Sequence, residues 1–109
     1  MIRTRKNKIL ALRVALLKAV AAADQHKLDN DEGTCCLDEP FIILKNWSKA
    51  SIKEAFMLTG LRPDITDKDI VYILNGVNGQ GFRRTAMAEA IRDSLRESGY
   101  TAHVHYRVD

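Results

Sequence analysis

The chain has 109 residues, enough for one domain and too few for a second core. Hydrophobic residues make up 46% and charged residues 28%, ordinary globular values that argue against wholesale disorder. The formal charge of +3 is unevenly placed: residues 1–23 carry Arg3, Arg5, Lys6, Lys8, Arg13 and Lys18 with no acid, net +6, while the other 86 carry 11 bases and 14 acids, net −3. A basic end of this kind points to an anionic partner or to a solvated helix face.

The first stretch reads as a helix from Arg3 to His26. Ile9, Leu12, Leu16, Ala19 and Ala23 recur at spacings of three and four, with Leu10, Val14, Leu17 and Val20 widening the stripe. A basic start, an apolar middle and Ala21-Ala22-Ala23 imitate a secretory signal, but Arg13 and Lys18 interrupt the apolar run that export or a membrane span requires. Residues 27–33 are polar and acidic and read as a surface loop. Cys35 and Cys36 follow; adjacent thiols rarely bridge each other and lack zinc-site spacing, so a reduced, cytoplasmic protein without a metal is expected. Acidic Asp38 and Glu39 beside them would raise a thiol pKa, which makes small packing residues the better reading than a nucleophile.

Phe41-Ile42-Ile43-Leu44 makes a short strand with Pro40 near its start, and its continuous apolarity predicts cover on both faces. A second helix runs from Ser48 to Thr59, capped by Ser48 or Ser51, with Ser51-Ile52-Lys53-Glu54 at capping-box spacing and Gly60 and Pro63 as stop signals. Asp64 to Asp69 reads as a polar connection into Ile70-Val71-Tyr72-Ile73-Leu74, a strand placed centrally in the sheet. The glycine-rich loop Asn75 to Gly81 leads to a third helix, Phe82 to Ser98, which ends at Gly99-Tyr100 in a Schellman turn. Thr101 to Asp109 alternates: Ala102, Val104, Tyr106 and Val108 on one face, Thr101, His103, His105, Arg107 and Asp109 on the other. One face of that strand is therefore wet, as at a sheet edge or on an open side.

The fold expected is a single domain over residues 1–109, α+β or a small α/β, with three helices and a three-stranded mixed or parallel sheet in the order α-β-α-β-α-β. The basic helix occupies residues 1–26 and the β-α-β-α-β unit residues 34–109. Helices long enough for crossovers favour parallel pairing, and the wet last strand favours two layers with the helices on one side.

Four stretches can carry chemistry. Gly76, Asn78, Gly79, Gln80 and Gly81, with Arg83 and Arg84 opening the next helix, resemble a phosphate cradle at a helix N-terminus, although neither dinucleotide nor P-loop spacing is met. A turn in which Asn78-Gly79 needs positive φ explains the same residues. His103 and His105 lie on one strand face about 7 Å apart; with Arg107 they form an alternative anion surface that gains charge below about pH 6.5. A metal there would need a third ligand from Asp109, His26 or a cysteine. Arg3, Arg5, Lys6 and Lys8 form a basic arm able to follow a phosphate backbone, though no RNA-module aromatics stand out. Finally, the apolar width of residues 9–23 allows a homodimer. No cofactor motif or complete catalytic set is present, so a binding protein is preferred to an enzyme acting on a nucleotide or other phosphate ligand.

The run Gly79-Gln80-Gly81, Arg84-Thr85, Ala88-Glu89-Ala90, Leu95, Gly99-Tyr100 and Tyr106-Arg107-Val108-Asp109 resembles small uncharacterised bacterial proteins carried on phages and other mobile elements. It covers the last third of the chain, with an echo at Thr34-Cys35-Cys36-Leu37-Asp38. The resemblance implies no particular activity but favours a small accessory protein that works by binding, including one that inhibits a host defence complex. Protein–protein contact is the mode expected, with nucleic-acid binding through the glycine loop and basic arm as the alternative.

Overall fold

The computed structural model describes residues 4–26, 38–66, 68–77 and 81–107. Along them run α1 (Arg5–Asp24), β1 (Glu39–Ile43), α2 (Lys49–Phe56), β2 (Arg62–Ile65), β3 (Ile70–Leu74), α3 (Gly81–Glu97) and β4 (Thr101–His105). The strands form one sheet in the order β2-β3-β1-β4, and every neighbouring pair is antiparallel.

This corrects the three-stranded, α-β-α-β-α-β expectation. The additional strand is β2, in the stretch taken as the second helix's stop signal and the polar connection after it. Its sequence, Arg62-Pro63-Asp64-Ile65, has one β-branched residue and a proline, so strand propensity is weak. It forms because it returns along β3 as a hairpin: Thr66 gives both its N–H and its hydroxyl to the Ile70 carbonyl, at 3.0 and 2.7 Å, and Asp69 turns the chain at φ 62°. Proline is tolerated because β2 pairs on one side only. The hairpin also removes the expected parallel pairing. Each crossover helix still joins two parallel strands, β1 to β2 and β3 to β4, but each pair is separated by one antiparallel strand. Without α1, the order is that of the split β-α-β-β-α-β motif. β3 is interior and β4 is an edge, as the sequence implied.

One face of the sheet is core. Pro40, Ile42 and Leu44, then Val71 and Ile73, then Ala102 are buried there with the apolar sides of the helices. α2 lies on β2, and α3 lies on β1 and β4. α1 packs along both helices, burying Ile9, Leu12, Leu16 and the small Ala15, Ala19 and Ala23. It runs antiparallel to α3: Ala11 and Val14 lie beside Ser98 and Tyr100, while Ala22 and Gln25 lie beside Ala90.

The helix ends follow most of their sequence signals, but Ser51 lies inside α2 and does not open it as a capping box, and α2 ends early. Thr4 caps α1 through the Asn7 N–H, and Ser48 caps α2 through the Ser51 N–H. At the end of α3, Gly99 at φ 94° gives its N–H to the Arg96 carbonyl and Tyr100 gives its own to Leu95, the two bonds of a Schellman motif. α2 stops at Phe56, short of Thr59, because the buried Thr59 hydroxyl takes the Phe56 carbonyl and receives the Leu61 N–H. The chain then passes through Leu58 at φ 67°, in the left-handed region although its side chain is 85% exposed. That conformation costs a β-carbon-bearing residue roughly 1–2 kcal/mol. Leu58→Gly is expected to stabilise the fold by about 1 kcal/mol, raising Tm by a few degrees. Thermal denaturation checks this, and an unchanged or lower Tm would show that Leu58 carries no such strain.

Candidate functional site

The opposite face of the sheet is built from the other set of alternating residues. Glu39, Phe41 and Ile43 of β1 lie there with Ile70, Tyr72 and Leu74 of β3, Arg62 and Asp64 of β2, and Thr101, His103 and His105 of β4. No described helix packs on it. Register aligns Asp64, Tyr72, Phe41 and His103 in one row across all four strands. The rings are in contact: Phe41 is 5.5 Å from Tyr72 and 5.6 Å from His103, each pair tilted. Tyr72 starts on β3, yet its hydroxyl reaches His105 Nδ1 on β4 at 3.2 Å, across the intervening β1. A side chain spanning that distance must lie along the sheet, not stand up from it. Phe41 and Tyr72 are half-buried, while His103 and His105 are exposed.

The rim is held from the helix layer. Arg96, in the last turn of α3, donates Nε to the Ala102 carbonyl at 2.8 Å and Nη2 to His103 Nδ1 at 3.1 Å, which fixes that ring nitrogen as an acceptor. At the start of β1, Asp38 is 2% exposed and fully used. Its carboxylate accepts the Thr85 hydroxyl at 2.6 Å and the Arg107 N–H at 2.9 Å, and its carbonyl accepts Arg84 Nε at 3.0 Å. One buried acid thereby ties β1 to the first turn of α3 and to the segment after β4. Further along α3, the Tyr106 hydroxyl donates to Glu89 and accepts from Arg92, which also grips Asp93. The bond to Glu89, aided by partial burial, raises the Tyr106 pKa above its ordinary value; the bond from Arg92 holds Asp93 below the usual carboxylate range, and the same contact raises Arg92.

The anion surface expected from the glycine loop and the basic arm is not brought together. Arg84 sits at the Asp38–Glu39 end of β1, 4.0 Å from Glu39. The arm sits at the other end: Lys8 reaches the Asn46 carbonyl at 3.4 Å and lies 4.5 Å over the Trp47 ring, while Arg5 bonds Ser51 at 2.8 Å. Arg83 is placed beside Arg84 on the first turn of α3, and Lys6 is exposed on α1. Arg3, Cys35, Cys36, Asn78, Gly79, Gln80 and Asp109 lie outside the described residues. Gly76 has a packing role. A β-carbon there would come within 2.7 Å of Ile91 Cδ1 and 2.9 Å of Leu61 Cδ2, both in the core. Gly81 is buried in the first position of α3 at φ 62°.

His103 and His105 do share a face, but they serve different partners, Arg96 and Tyr72. Among the described residues, no group of three or more His, Cys, Asp or Glu side chains could hold a metal ion. Much of the apolar stripe in residues 9–23 is spent on the core, leaving Leu10, Val14 and Leu17 outside. No described helix is long and apolar enough to cross a membrane.

Sequence reasoning missed Phe41 and Tyr72 as surface residues because both lie in unbroken apolar runs. The available signal was parity: in each run the aromatic sits opposite in phase to the residues that continue the core, Ile42 in one and Val71 and Ile73 in the other. No family model matches the chain, and comparison with curated proteins and with solved structures found no match.

Two substitutions test the supports of this face. Asp38→Ala leaves the Arg107 N–H without its acceptor and the Thr85 hydroxyl with only its 3.2 Å bond to the Gly81 carbonyl, and should destabilise by about 1–3 kcal/mol. Gly76→Ala should cost about 1–3 kcal/mol by overpacking against Ile91 and Leu61. Urea unfolding measures both; a loss under about 0.5 kcal/mol in either would remove the corresponding role.

Proposed function

We propose that this protein is a binding module that takes single-stranded nucleic acid across the open face of its sheet. One observation carries the reading: Phe41 and Tyr72 lie side by side on the two central strands, with Tyr72 laid along the surface. RNA modules built on a four-stranded sheet stack bases on aromatics of the sheet face, and such stacking tolerates any base because every base has a π face. Around the two rings, His103, His105 and Thr101 supply hydrogen-bonding groups for base edges and sugars, and Ile43 and Ile70 extend the apolar floor. The strand residues of this face carry one base, Arg62, and two acids, Glu39 and Asp64, so they offer little to neutralise phosphates. Stacking therefore dominates over phosphate neutralisation, and the salt dependence should be shallow, a slope of about one to two units.

The test uses fluorescein-labelled ten-nucleotide single-stranded RNA and DNA of mixed sequence, with anisotropy read from 50 to 200 mM salt. Phe41→Ala and Tyr72→Ala should each weaken binding about 5- to 150-fold, from roughly 1–3 kcal/mol of stacking per base. Lys6→Ala, on the arm, should leave affinity within about twofold, and duplexes should bind about tenfold more weakly because their bases are already stacked. No binding of either strand at low salt, or a Phe41→Ala/Tyr72→Ala variant that binds like the parent, sinks the reading. A protein partner is the second reading, and the apolar ridge left exposed on α1 supports it.

A further inference from the structure

α1 buries one side in the core and presents a second apolar line to solvent. Leu10, Val14 and Leu17 are 43, 51 and 45% exposed. They stand at i, i+4 and i+7, one ridge along two turns of helix. The ridge is flanked by grooves on both sides. Toward α2 a groove of about 520 Å³ is lined by Ile9, Leu10, Arg13 and Glu54, and toward α3 one of about 310 Å³ is lined by Val14, Lys18 and Tyr100. A ridge between two grooves is the relief that a second helix fills by ridges-into-grooves packing.

Charge selects the occupant. Lys6 and Lys18 stand exposed beside the two ends of the ridge, and Arg13 is fixed at its flank by donating to the Glu54 carbonyl at the end of α2. Residues 1–23 contain no acid at all. A second copy meeting this face across a two-fold axis would bring the bases Lys6, Arg13 and Lys18 against the same set, with Glu54 the one acid lining the groove toward α2 to offset them, a predominantly like-charge arrangement that costs affinity. A lipid surface would reach only three side chains, because the other side of α1 is committed to α2 and α3. We infer that the outer ridge of α1 docks an acidic amphipathic helix of another protein, with apolar residues meeting Leu10, Val14 and Leu17 and carboxylates meeting Lys6, Arg13 and Lys18. This is the helix-in-groove mode of recognition, read as i, i+3, i+4 and i+7 anchors. It uses the face of the molecule opposite the sheet surface, so it stands independently of nucleic-acid binding.

The probe is a synthetic 21-residue helical peptide with leucine at the a and d positions and glutamate at e and g, titrated against the full chain by anisotropy. A second peptide has the same leucines and lysine in place of every glutamate. The acidic peptide should bind with a Kd in the micromolar range and weaken about tenfold between 50 and 200 mM salt, whereas the basic peptide should not bind. Leu10→Ser/Val14→Ser/Leu17→Ser and Lys6→Glu/Lys18→Glu should each cost at least tenfold, while circular dichroism keeps the parent helix content. Lys6 and Lys18 are exposed, so their pair of substitutions leaves the fold intact, and the circular dichroism comparison guards the half-exposed ridge positions. Failure of the acidic peptide to bind, equal binding of both peptides, or binding indifferent to the ridge substitutions overturns the inference. So does a ridge-dependent dimer in sedimentation, which gives the face to a second copy, or ridge-dependent capture by phosphatidylserine vesicles without peptide binding, which gives it to membrane.

Discussion

β1 is hydrogen-bonded along both edges, to β3 on one side and to β4 on the other, and every other part of the molecule takes its position from that double pairing. Ile42 shows the consequence at one residue. Its neighbours across the ladders are Val71 and Ala102, and all three point to the same side and are buried there with the helices. Because pleating alternates side chains, fixing Ile42 inward fixes Phe41 and Ile43 outward, and the register then places Tyr72 and His103 beside Phe41. A slip of one residue would bury Phe41 and expose Ile42, so the core that holds the sheet together also holds the aromatic row in place. Asp38 reinforces the arrangement at the strand's entry, where an acid almost out of water is held by two bonds to its carboxylate, from Thr85 of α3 and from the Arg107 N–H after β4, and by a third to its backbone carbonyl from Arg84.

The bare side of the sheet follows from chain direction. Each crossover helix leaves one strand and returns to a parallel one, skipping the strand between, and crossovers of the same hand put both helices on one face. α1 then adds its bulk to that same side. Three helices therefore serve a four-stranded sheet from one direction. On the other side, apolar side chains shelter only one another, as the tilted contacts among Phe41, Tyr72, His103 and His105 show. Rings packed against one another in that way have fewer rotamers open to them than rings standing alone.

Local signals in the sequence were strong where one residue type has one physical use. Gly99 and Tyr100 announce the end of α3, Ser48 the start of α2, and the spacing of Ile9, Leu12 and Leu16 the inner side of α1. The strand β2 was illegible because nothing in Arg62-Pro63-Asp64-Ile65 favours an extended ladder; pairing with β3 imposes it, and such pairing is a tertiary fact. Missing it changed the sheet from antiparallel to parallel in expectation, since one hairpin reverses every later strand. The separate settings of the glycine loop and the basic arm were illegible for a related reason. Glycines and arginines attract attention as anion binders, yet Gly76 is glycine because Ile91 and Leu61 leave no room for a β-carbon, and Arg84 is occupied by Asp38 and Glu39. Phe41 and Tyr72 gained meaning only when two segments thirty-one positions apart in the chain were laid side by side.

The position of β1 in chain order has a consequence for how the protein is made. β1 is the first of the described strands to leave the ribosome and, like β3, has two partners, the second of which begins only at Thr101. At a synthesis rate of about 5–20 residues per second, the Pro40–Ile43 run has one edge unpaired for roughly 3–12 s after it is translated. During that interval an apolar extended segment is available to any other unpaired strand, and a chain interrupted before β4 never loses that edge. Such a topology, with its pairings spread over sixty-odd residues, belongs with the slower-forming sheets, not with the helical bundles. Arrival of the closing strand is then the event that separates a finished molecule from an adhesive one, and the Arg107 N–H meeting Asp38 is the last contact of that closure to become available.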